Sequence, residues 1–355
     1  MARPIRRIHD TISDATYGVV RLGATALGVG IDLGVRVSID STDGAQAIVN
    51  GLWGDTLGRH ETRLATVMGI RDRNAQSVAA AADDDDDALA ASFPTATGRL
   101  VVLVHGWAET EHCWRGTDTN TGLLSALEED PVHTPLAVRY NSGLRISDNG
   151  SLLAGLLEDV CAHWPVEVDS ISLVGHSMGG LVIRSACAVG AAAGHDWVHR
   201  VTDVVTLGTP HGGAPLEKLV NVAAWGLRFA PESRPLADYL DTRSGGLKDL
   251  RFGAIAEEDW RDHDADALLR NTVGDHGVPE GIDHHFVSGV VTADPGHPIG
   301  YLMGDLIVRV PSGSGGPHLT PADVVVVGSV NHSRLVDDPV VVDHVMRWIS
   351  KPGSP

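Results

Sequence analysis

The chain has 355 residues, 43% of them hydrophobic, and a formal net charge of −19 at pH 7. This length and composition can bury a large core in one big domain or two smaller ones. The strong negative charge would repel nucleic acids and anionic membrane surfaces at long range, which argues against either as the main partner.

The first of three predicted regions, residues 1–78, has apolar residues at helical spacing over Thr11 to Val37 and over Ala45 to Ile70. Two or three helices are expected there, packed on the main domain or on another copy of the chain in a homo-oligomer. The apolar stretch near the N-terminus is interrupted by charged residues, and its longest uncharged run, Leu22 to Ile31, is too short to span a bilayer. We therefore expect a cytoplasmic protein without stable membrane insertion, with export as the less favoured alternative.

The second predicted region, residues 79–97, is rich in alanine and contains an unbroken acidic run from Asp83 to Asp87. We interpret it as a solvated linker, with an acidic interaction segment or a cation site as the alternative.

Cysteine usage argues against two kinds of site. The three cysteines, Cys113, Cys161 and Cys187, are odd in number and lack C-x-x-C spacing. A metal site built on them is therefore not expected, nor is a disulfide framework, and at least one thiol must stay free within the monomer.

The third predicted region, residues 98–350, alternates short apolar runs with helical segments. Such alternation is typical of an α/β fold in which helices cover both faces of a mostly parallel sheet. Six runs rich in Val, Leu and Ile are predicted strands: Leu100 to Val104, Leu136 to Tyr140, Ile171 to Val174, Val201 to Leu207, His285 to Val291 and Asp323 to Val327.

A G-x-S-x-G motif around Ser177 lies between the third predicted strand and a predicted helix. In that context it is a nucleophile-elbow candidate, because a strained strand-to-helix turn exposes the serine hydroxyl at the carboxyl edge of the sheet. The motif alone is weak evidence in a chain this rich in glycine and serine. The other loops of the predicted sheet must therefore supply matching catalytic residues to support it.

The first predicted strand ends in His105 and Gly106, and Trp107 follows. Acyl-transfer enzymes of this architecture place an oxyanion donor in this loop, so the backbone N–H groups of Trp107 and Met178 are predicted to converge on one carbonyl oxygen. The alternative is an ordinary His-Gly turn with Trp107 as a core aromatic.

The general base is expected after the last predicted strand, where His332 lies in the following loop. A serine hydroxyl is a poor nucleophile near neutral pH until a base accepts its proton. The other histidines of this stretch, His318 and His344, lie before the strand and in the following helical pattern, so neither competes well.

Two aspartates could orient His332. Asp294 directly follows the fifth predicted strand, but an Asp-Pro-Gly turn explains it. Asp305 lies in an apolar-flanked loop that could bury a carboxylate against the imidazole, where it would fix the tautomer and stabilise the imidazolium. We favour Asp305.

Over about residues 98 to 350 the chain resembles bacterial α/β-hydrolase lipases and esterases, and within them the branch that contains inositol-deacylase-like proteins. The resemblance implies Ser177 as nucleophile, Asp305 as acid and His332 as base, in the chain order that this fold requires. It also implies Trp107 and Met178 as oxyanion donors. One departure lies at the acid loop, where such lipases often have Gly-Asp-Gly and here Leu306 follows the aspartate. The resemblance rests on five ordered blocks: Val104 to Trp107, Gly175 to Gly180, Leu207 to Gly213, Gly304 to Asp305, and Asn331 to His332.

Residues from about 211 to 280 are too many for a simple crossover, and their position resembles that of a cap or lid over the serine. Apolar side chains of this insertion, including Trp225 and Phe229, would give it an underside fit for an acyl chain; ordinary helix-to-sheet packing is the alternative. Its predicted helices are Leu216 to Phe229, Leu236 to Asp241 and Leu247 to Trp260. Four further residues are predicted to line the pocket because they lie at the carboxyl ends of strands: Tyr140, Asn141, Thr209 and His211.

The sequence thus predicts a serine hydrolase that cleaves a small-molecule or lipid carboxylic ester through an acyl-enzyme, with no metal or organic cofactor implied. A thioesterase, amidase or acyltransferase would use the same triad and is the main alternative. A non-catalytic binding protein on a hydrolase scaffold is the second.

Overall fold

The computed structural model describes residues 42–80, 88–213, 244–262, 281–315 and 321–351, together with five single residues: Val273, Gly274, His276, Pro279 and Leu319. The predicted helices Thr11 to Val37, Leu216 to Phe229 and Leu236 to Asp241 lie outside this part, as do Trp225, Phe229 and the Asp83 to Asp87 run. Among the helices that are described, none is both long and apolar enough to cross a membrane.

An eight-stranded sheet organises the described residues, in the order β2-β1-β4-β3-β5-β6-β7-β8. Strands β3 to β8 are parallel, whereas β1 pairs antiparallel with β2 and β4. The strands are β1 (Gly69–Arg71), β2 (Ser77–Val78), β3 (Arg99–Val104), β4 (Thr134–Arg139), β5 (Ser170–His176), β6 (Val201–Leu207), β7 (Asp283–Val290) and β8 (Asp323–Gly328).

Helices flank this sheet on both faces. The α-helices are α1 (Thr42–Arg59), α2 (Ala88–Ser92), α3 (Leu123–Glu128), α4 (Ile146–His163), α5 (Met178–Ala193), α6 (Gly245–Asp249), α7 (Pro298–Met303), α8 (Val310–Gly313) and α9 (Pro339–Ile349). Within the described residues, four 3-10 helices span Glu111–Arg115, Asp196–Arg200, Glu257–Asp259 and His332–Arg334.

Alternation along the central strand β3 divides the core in two. Leu100 and Val102 pack with α4 and α5 on one face, while Val101 and Leu103 pack with α3 and α9 on the other. All four side chains are at most 1% exposed. Because both faces of the strand are buried, its sequence is an unbroken apolar run. The order and direction of the strands confirm the predicted α/β-hydrolase fold.

The six predicted strands are all present, with ends shifted by at most a few residues. The helical pattern over Ala45 to Ile70, however, gives a helix only as far as Arg59. The chain reverses at Glu61, which adopts a positive φ of 47°, and the Asn50 side chain then holds the returning backbone at Leu64. The remaining residues of the pattern reach β1, which joins the sheet.

The pattern over Leu247 to Trp260 also gives less helix than predicted. Helix α6 ends at Asp249, and Gly253 has a φ of 76°, which a continuing helix cannot accommodate. The Asp259 carboxylate accepts hydrogen bonds from the backbone of Ile255 and Ala256, so this segment forms capped turns.

Candidate active site

Ser177 lies in the turn between β5 and α5 with φ 52° and ψ −121°, a backbone conformation that non-glycine residues rarely adopt. Its N–H donates to the Leu207 carbonyl at 2.8 Å, which fixes the turn against β6. A Cβ atom at Gly175 would contact the backbone of Gly180, and one at Gly179 would overlap the Val104 carbonyl. The glycines of the motif are therefore required by close backbone approach, and the turn has the form of a nucleophile elbow.

Asp305 and His332 form a buried hydrogen-bonded pair at the same edge of the sheet. The distance from His332 Nδ1 to Asp305 Oδ2 is 2.7 Å, and the two residues are 4% and 1% exposed respectively. The other carboxylate oxygen accepts the N–H groups of Ile307 and Val308 at 3.0 and 2.8 Å. With Nδ1 donating to the carboxylate, Nε2 of His332 is left free to accept a proton.

The competing aspartate, Asp294, is placed differently. It is exposed, and its carboxylate accepts the N–H of Gly296 within a local turn. The structure therefore brings Asp305, and not Asp294, to His332.

The acid loop carries strain where the resemblance expects glycine. Leu306 adopts a φ of 82°, in the left-handed region that disfavours a side chain. The loop holds this conformation because the Asp305 carboxylate binds the next two N–H groups, and because Asp305 N–H donates to the Val308 carbonyl. The departure at Leu306 thus leaves the aspartate in place.

Gly208 connects the serine turn to the Asp305–His332 pair. It follows Leu207, whose carbonyl binds Ser177, and a Cβ atom at Gly208 would lie 3.0 Å from both Asp305 Oδ2 and His332 Nδ1. Its φ of 59° also favours glycine. One short segment after β6 therefore touches both halves of the site.

Two backbone N–H groups beside Ser177 donate no hydrogen bond within the described part of the chain. Neither Trp107 N–H nor Met178 N–H donates to any described residue, and Met178 is the first residue of α5. The loop after β3 approaches the serine closely, since a Cβ atom at Gly106 would lie 3.1 Å from Ser177 Cβ. The positive end of the α5 dipole adds to the attraction for a negative oxygen here.

His176 and Glu109 form a second buried pair that the sequence analysis did not identify. His176 Nδ1 lies 2.8 Å from Glu109 Oε2, and Nε2 lies 3.1 Å from the backbone carbonyl of His332. Because both partners only accept hydrogen bonds, both ring nitrogens must carry protons, which makes the ring an imidazolium. The same Glu109 oxygen accepts the N–H of Gly106. The pair therefore joins the oxyanion loop to the loop that carries His332.

Charge stabilises this pair despite its burial. Burial alone would raise the pKa of Glu109, but the charge and hydrogen bond of His176 lower it to about 2. Burial alone would lower the pKa of His176, yet the Glu109 carboxylate raises it. Each group thus favours the charged form of the other.

Tyr140 and Asn141, predicted to line the pocket, are buried and use their polar atoms within the protein. The Tyr140 hydroxyl donates to the His105 carbonyl at 2.9 Å, and its ring stacks on the His105 ring. Asn141 donates to the Gly54 carbonyl and accepts the N–H of Gly143, both at 3.0 Å. Both residues are 2% exposed, so their role as substrate contacts stays a prediction.

Thr209 and His211 are also buried. The His211 ring contacts Thr206 Oγ1 at 3.2 Å and Arg184 Nη1 at 3.4 Å. Burial and then the Arg184 charge lower the pKa of His211 well below its usual value, so the ring is neutral. The hydroxyl of Thr209 has no hydrogen-bond partner among the described residues. Contact of either residue with substrate stays a prediction.

Helix α1 packs over the loops that carry the site. The Trp107 indole N–H donates to the Gly51 carbonyl at 2.9 Å, and the Ser244 hydroxyl donates to the same oxygen at 2.6 Å. Gly51 and Gly54 lie against Ala108 and Asn141 so closely that side chains would not fit. The N-terminal region thus contributes at least one helix to the wall of the site.

The sequence indicates the Glu109–His176 pair only weakly. His176 lies inside the G-x-S-x-G motif, and Glu109 lies in the loop after a strand end already assigned to the oxyanion hole. An acidic residue in that loop together with a histidine beside the nucleophile suggests such a pair, but their separation of 67 positions in the sequence conceals it.

Comparisons with known proteins agree with this architecture. The model of the PGAP1-like alpha/beta domain matches residues 151–224, which include β5, the Ser177 turn and β6. A segment of 137 residues is 31% identical to the triacylglycerol lipase of Burkholderia plantarii, over 38% of this chain and 35% of that protein. The chain thus spans about a third of the length of the curated relative that it matches. The sheet order and the Ser177 turn have the form of the α/β-hydrolase fold, and the resemblance predicted from the sequence is confirmed.

Solved structures of two lipases are also similar. The mature form of lipase BlEst2 from Bacillus licheniformis is 20% identical, over 70% of this chain and 91% of that chain, with a TM-score of 0.45. Lipase B from Aspergillus fumigatus is 14% identical, over 78% of this chain and 59% of that chain, with a TM-score of 0.46.

Proposed function

We propose that this chain hydrolyses carboxylic esters through an acyl-enzyme intermediate on Ser177. The observation that carries the proposal is the strained serine turn beside the Asp305–His332 hydrogen bond, both at the carboxyl edge of one sheet. The sequence similarity to a triacylglycerol lipase supports an ester as the substrate.

Acylation uses the free nitrogen of His332. Ser177 Oγ attacks the carbonyl carbon while His332 Nε2 accepts its proton, and Asp305 stabilises the resulting imidazolium. The negative charge that develops on the carbonyl oxygen accepts hydrogen bonds from the N–H groups of Trp107 and Met178. When the tetrahedral intermediate collapses, the carbon–oxygen bond to the alcohol breaks and the alcohol leaves with the proton from Nε2.

Deacylation repeats these steps with water. His332 Nε2 accepts a proton from the water that attacks the acyl carbon, and the same two N–H groups bind the second oxyanion. Collapse of this intermediate breaks the bond to Ser177 Oγ, which regains its proton, and the carboxylic acid is released.

Removal of the serine hydroxyl tests the proposal. Ser177→Ala is expected to lower the kcat for p-nitrophenyl ester hydrolysis by about 10⁶-fold and to abolish labelling by a fluorophosphonate probe, because no nucleophile remains. Ser151→Ala, which removes an exposed helical hydroxyl, serves as the matched control and should retain both. Undiminished turnover in a folded Ser177→Ala protein would refute the mechanism.

The substrate class is tested with one acyl group presented as an ester, a thioester and an amide. The proposal expects the highest kcat/KM for the ester, and a series of p-nitrophenyl esters then measures the preferred acyl length. Higher kcat/KM for the thioester or amide would assign a different acyl-transfer activity to the same residues. A cytoplasmic location and self-association through the N-terminal residues stay predictions.

A further inference from the structure

Four titratable side chains converge at the opposite edge of the sheet, where β6, β7 and β8 begin. The register pairs Asp203 of β6 with Asp283 of β7, and His285 of β7 with Asp323 of β8. Since Asp283 and His285 are two residues apart in one strand, all four side chains lie on the same face. Within the described residues, Asp203, Asp283 and His285 form the one group of histidine, cysteine and acidic side chains close enough to hold a metal ion.

The His285 ring is held in one orientation. It is 0% exposed and stacks on the Trp348 indole with ring centroids 4.6 Å apart and planes inclined by 12°. Its Nε2 lies 3.1 Å from Asp203 Oδ1, and its Nδ1 lies 3.4 Å from Asp323 Oδ2. The ring therefore presents one nitrogen to each of two carboxylates.

We propose that Asp203, Asp283 and His285 bind a zinc-class divalent cation. One ligand atom from each residue lies within 4.8 Å of the other two. Ligand atoms about 3.3 Å apart surround a tetrahedral zinc ion with bonds of about 2.0 Å. The 3.1 Å between Nε2 and Oδ1 is close to that spacing, so the pair is nearly arranged for such an ion. Mixed imidazole and carboxylate ligands suit zinc better than they suit calcium or magnesium.

Neighbouring groups fix the orientation of two of these ligands, since Trp348 stacks on His285 and Thr202 binds Asp203. Nδ1 of His285 lies 3.4 Å from Asp323 Oδ2 without forming a hydrogen bond, and Nε2 is the ring nitrogen that faces Asp203. The Thr202 hydroxyl donates to Asp203 Oδ2 at 2.8 Å, so the other oxygen, Oδ1, faces the histidine. Asp283 is exposed, so a water molecule can reach the fourth position from solvent.

A protonated His285 shared between Asp203 and Asp323 is the competing account of the same contacts. It places the charged ring between two carboxylates but assigns no part to Asp283. The metal site needs the Asp283 carboxylate and the charge that it brings, so the contribution of Asp283 separates the two accounts.

The cation would act on the sheet rather than on the chemistry at Ser177. It would join the starts of β6 and β7. Because His285 pairs with Asp323 in the register, the cation would also stabilise β8, which is followed by the loop that carries His332. Its expected effect is therefore on stability, and the proposal does not depend on ester hydrolysis.

Zinc titration of the full chain after chelator treatment tests the site. Calorimetry is expected to give one tight equivalent of Zn²⁺ per chain. Asp283→Asn is expected to weaken its affinity at least 10-fold, since losing a ligand costs as much as or more than losing a group that hydrogen-bonds to a ligand. Asp343→Asn removes another exposed aspartate, outside the cluster, and should bind zinc as the wild type does. Equal affinity in wild type and Asp283→Asn, or the absence of a tight site in the wild type, would overturn the proposal.

Two further readouts guard against weak binding at other histidines and against misfolding. At a Zn²⁺ concentration about 100-fold above Kd, the Tm of the wild type should rise by about 4 °C, because binding to the folded state alone stabilises it. Bound Co²⁺ should show the intense visible absorption of tetrahedral coordination in the wild type and lose it in Asp283→Asn, whose circular dichroism should stay unchanged. A Tm rise of the same size in Asp283→Asn would contradict the assignment.

Discussion

Both edges of the sheet hold a buried histidine against an aspartate, but they provide different chemistry. At the carboxyl edge, His332 contacts Asp305 at 2.7 Å through Nδ1 and keeps Nε2 free. At the amino edge, His285 has a carboxylate at each nitrogen and lies flat on Trp348. A histidine–aspartate pair therefore does not define a catalytic site by itself.

The difference comes from what surrounds each pair. Parallel strands that run into helix N-termini expose unpaired N–H groups at their carboxyl edge, and there Ser177 takes a strained conformation at the start of α5. At the amino edge each nitrogen of His285 faces a carboxylate, and one of these, Asp323, also lies 3.8 Å from Lys351 Nζ. The first arrangement favours attack on a carbonyl group, and the second favours binding of a cation.

The largest expected effect concerns the carboxylate at His332. Asp305→Asn is expected to lower kcat by about 10⁴-fold, because an amide can hold the ring in the wrong tautomer and cannot stabilise the imidazolium. Asp294→Asn, in the exposed turn, should change kcat less than 2-fold and is the matched control. Steady-state kinetics on a p-nitrophenyl ester measures both. If only Asp294→Asn lost activity, the assignment of the acid would be wrong.

The second buried pair at the carboxyl edge should contribute mainly to stability. Glu109→Gln leaves the buried His176 without its counter-charge, and breaking a buried pair in this way is expected to cost about 3–5 kcal/mol of unfolding free energy. Urea denaturation measures this difference. If Glu109→Gln matched the wild type in unfolding free energy, the pair would not stabilise the folded protein.

The pH dependence gives this prediction a distinct signature. The pKa of Glu109 falls from 4.5 to about 2 on folding, so its contribution is present above pH 4.5 and lost as pH falls toward 2. The pKa of His176 is raised above 6.5, so its contribution is present below pH 6.5 and lost as pH rises through the raised value. The difference between wild type and Glu109→Gln should therefore be largest between pH 4.5 and 6.5. A pH-independent difference would contradict the charged pair.

Most of the fold could be predicted because its strands are buried on both faces. Runs such as Val101 to Val104 are continuous in the sequence, and their order with helices determines a parallel sheet. Strands β1 and β2 could not be predicted, since three and two residues contain no such run. Ser177, Asp305 and His332 could be predicted because they lie in loops after predicted strands, in the chain order that this fold requires.

The contacts that depend on register and loop conformation could not be predicted. Glu109 reaches His176 across 67 residues, and Asp203 reaches His285 across 82. Neither spacing is a motif, and each pair forms only because two neighbouring strands are aligned. The contact of α1 with the site could not be predicted either. Glycines within a helix indicate that another segment packs closely, but they do not indicate which segment.

Helix α1 covers only the carboxyl edge in the described structure, and paired glycine substitutions test that difference between the edges. A methyl group at Gly54 would overlap the Asn141 side chain, which cannot move without losing its hydrogen bonds to Gly54 and Gly143. Gly54→Ala is therefore expected to cost about 1–3 kcal/mol and to lower Tm. Gly58, one turn later, would place its methyl group 3.6 Å from Leu144 Cδ2, an ordinary contact. Gly58→Ala should be neutral or stabilise by up to about 1 kcal/mol, because alanine favours the helix. Equal Tm values for the two variants would show that α1 does not pack tightly on the loops of the site.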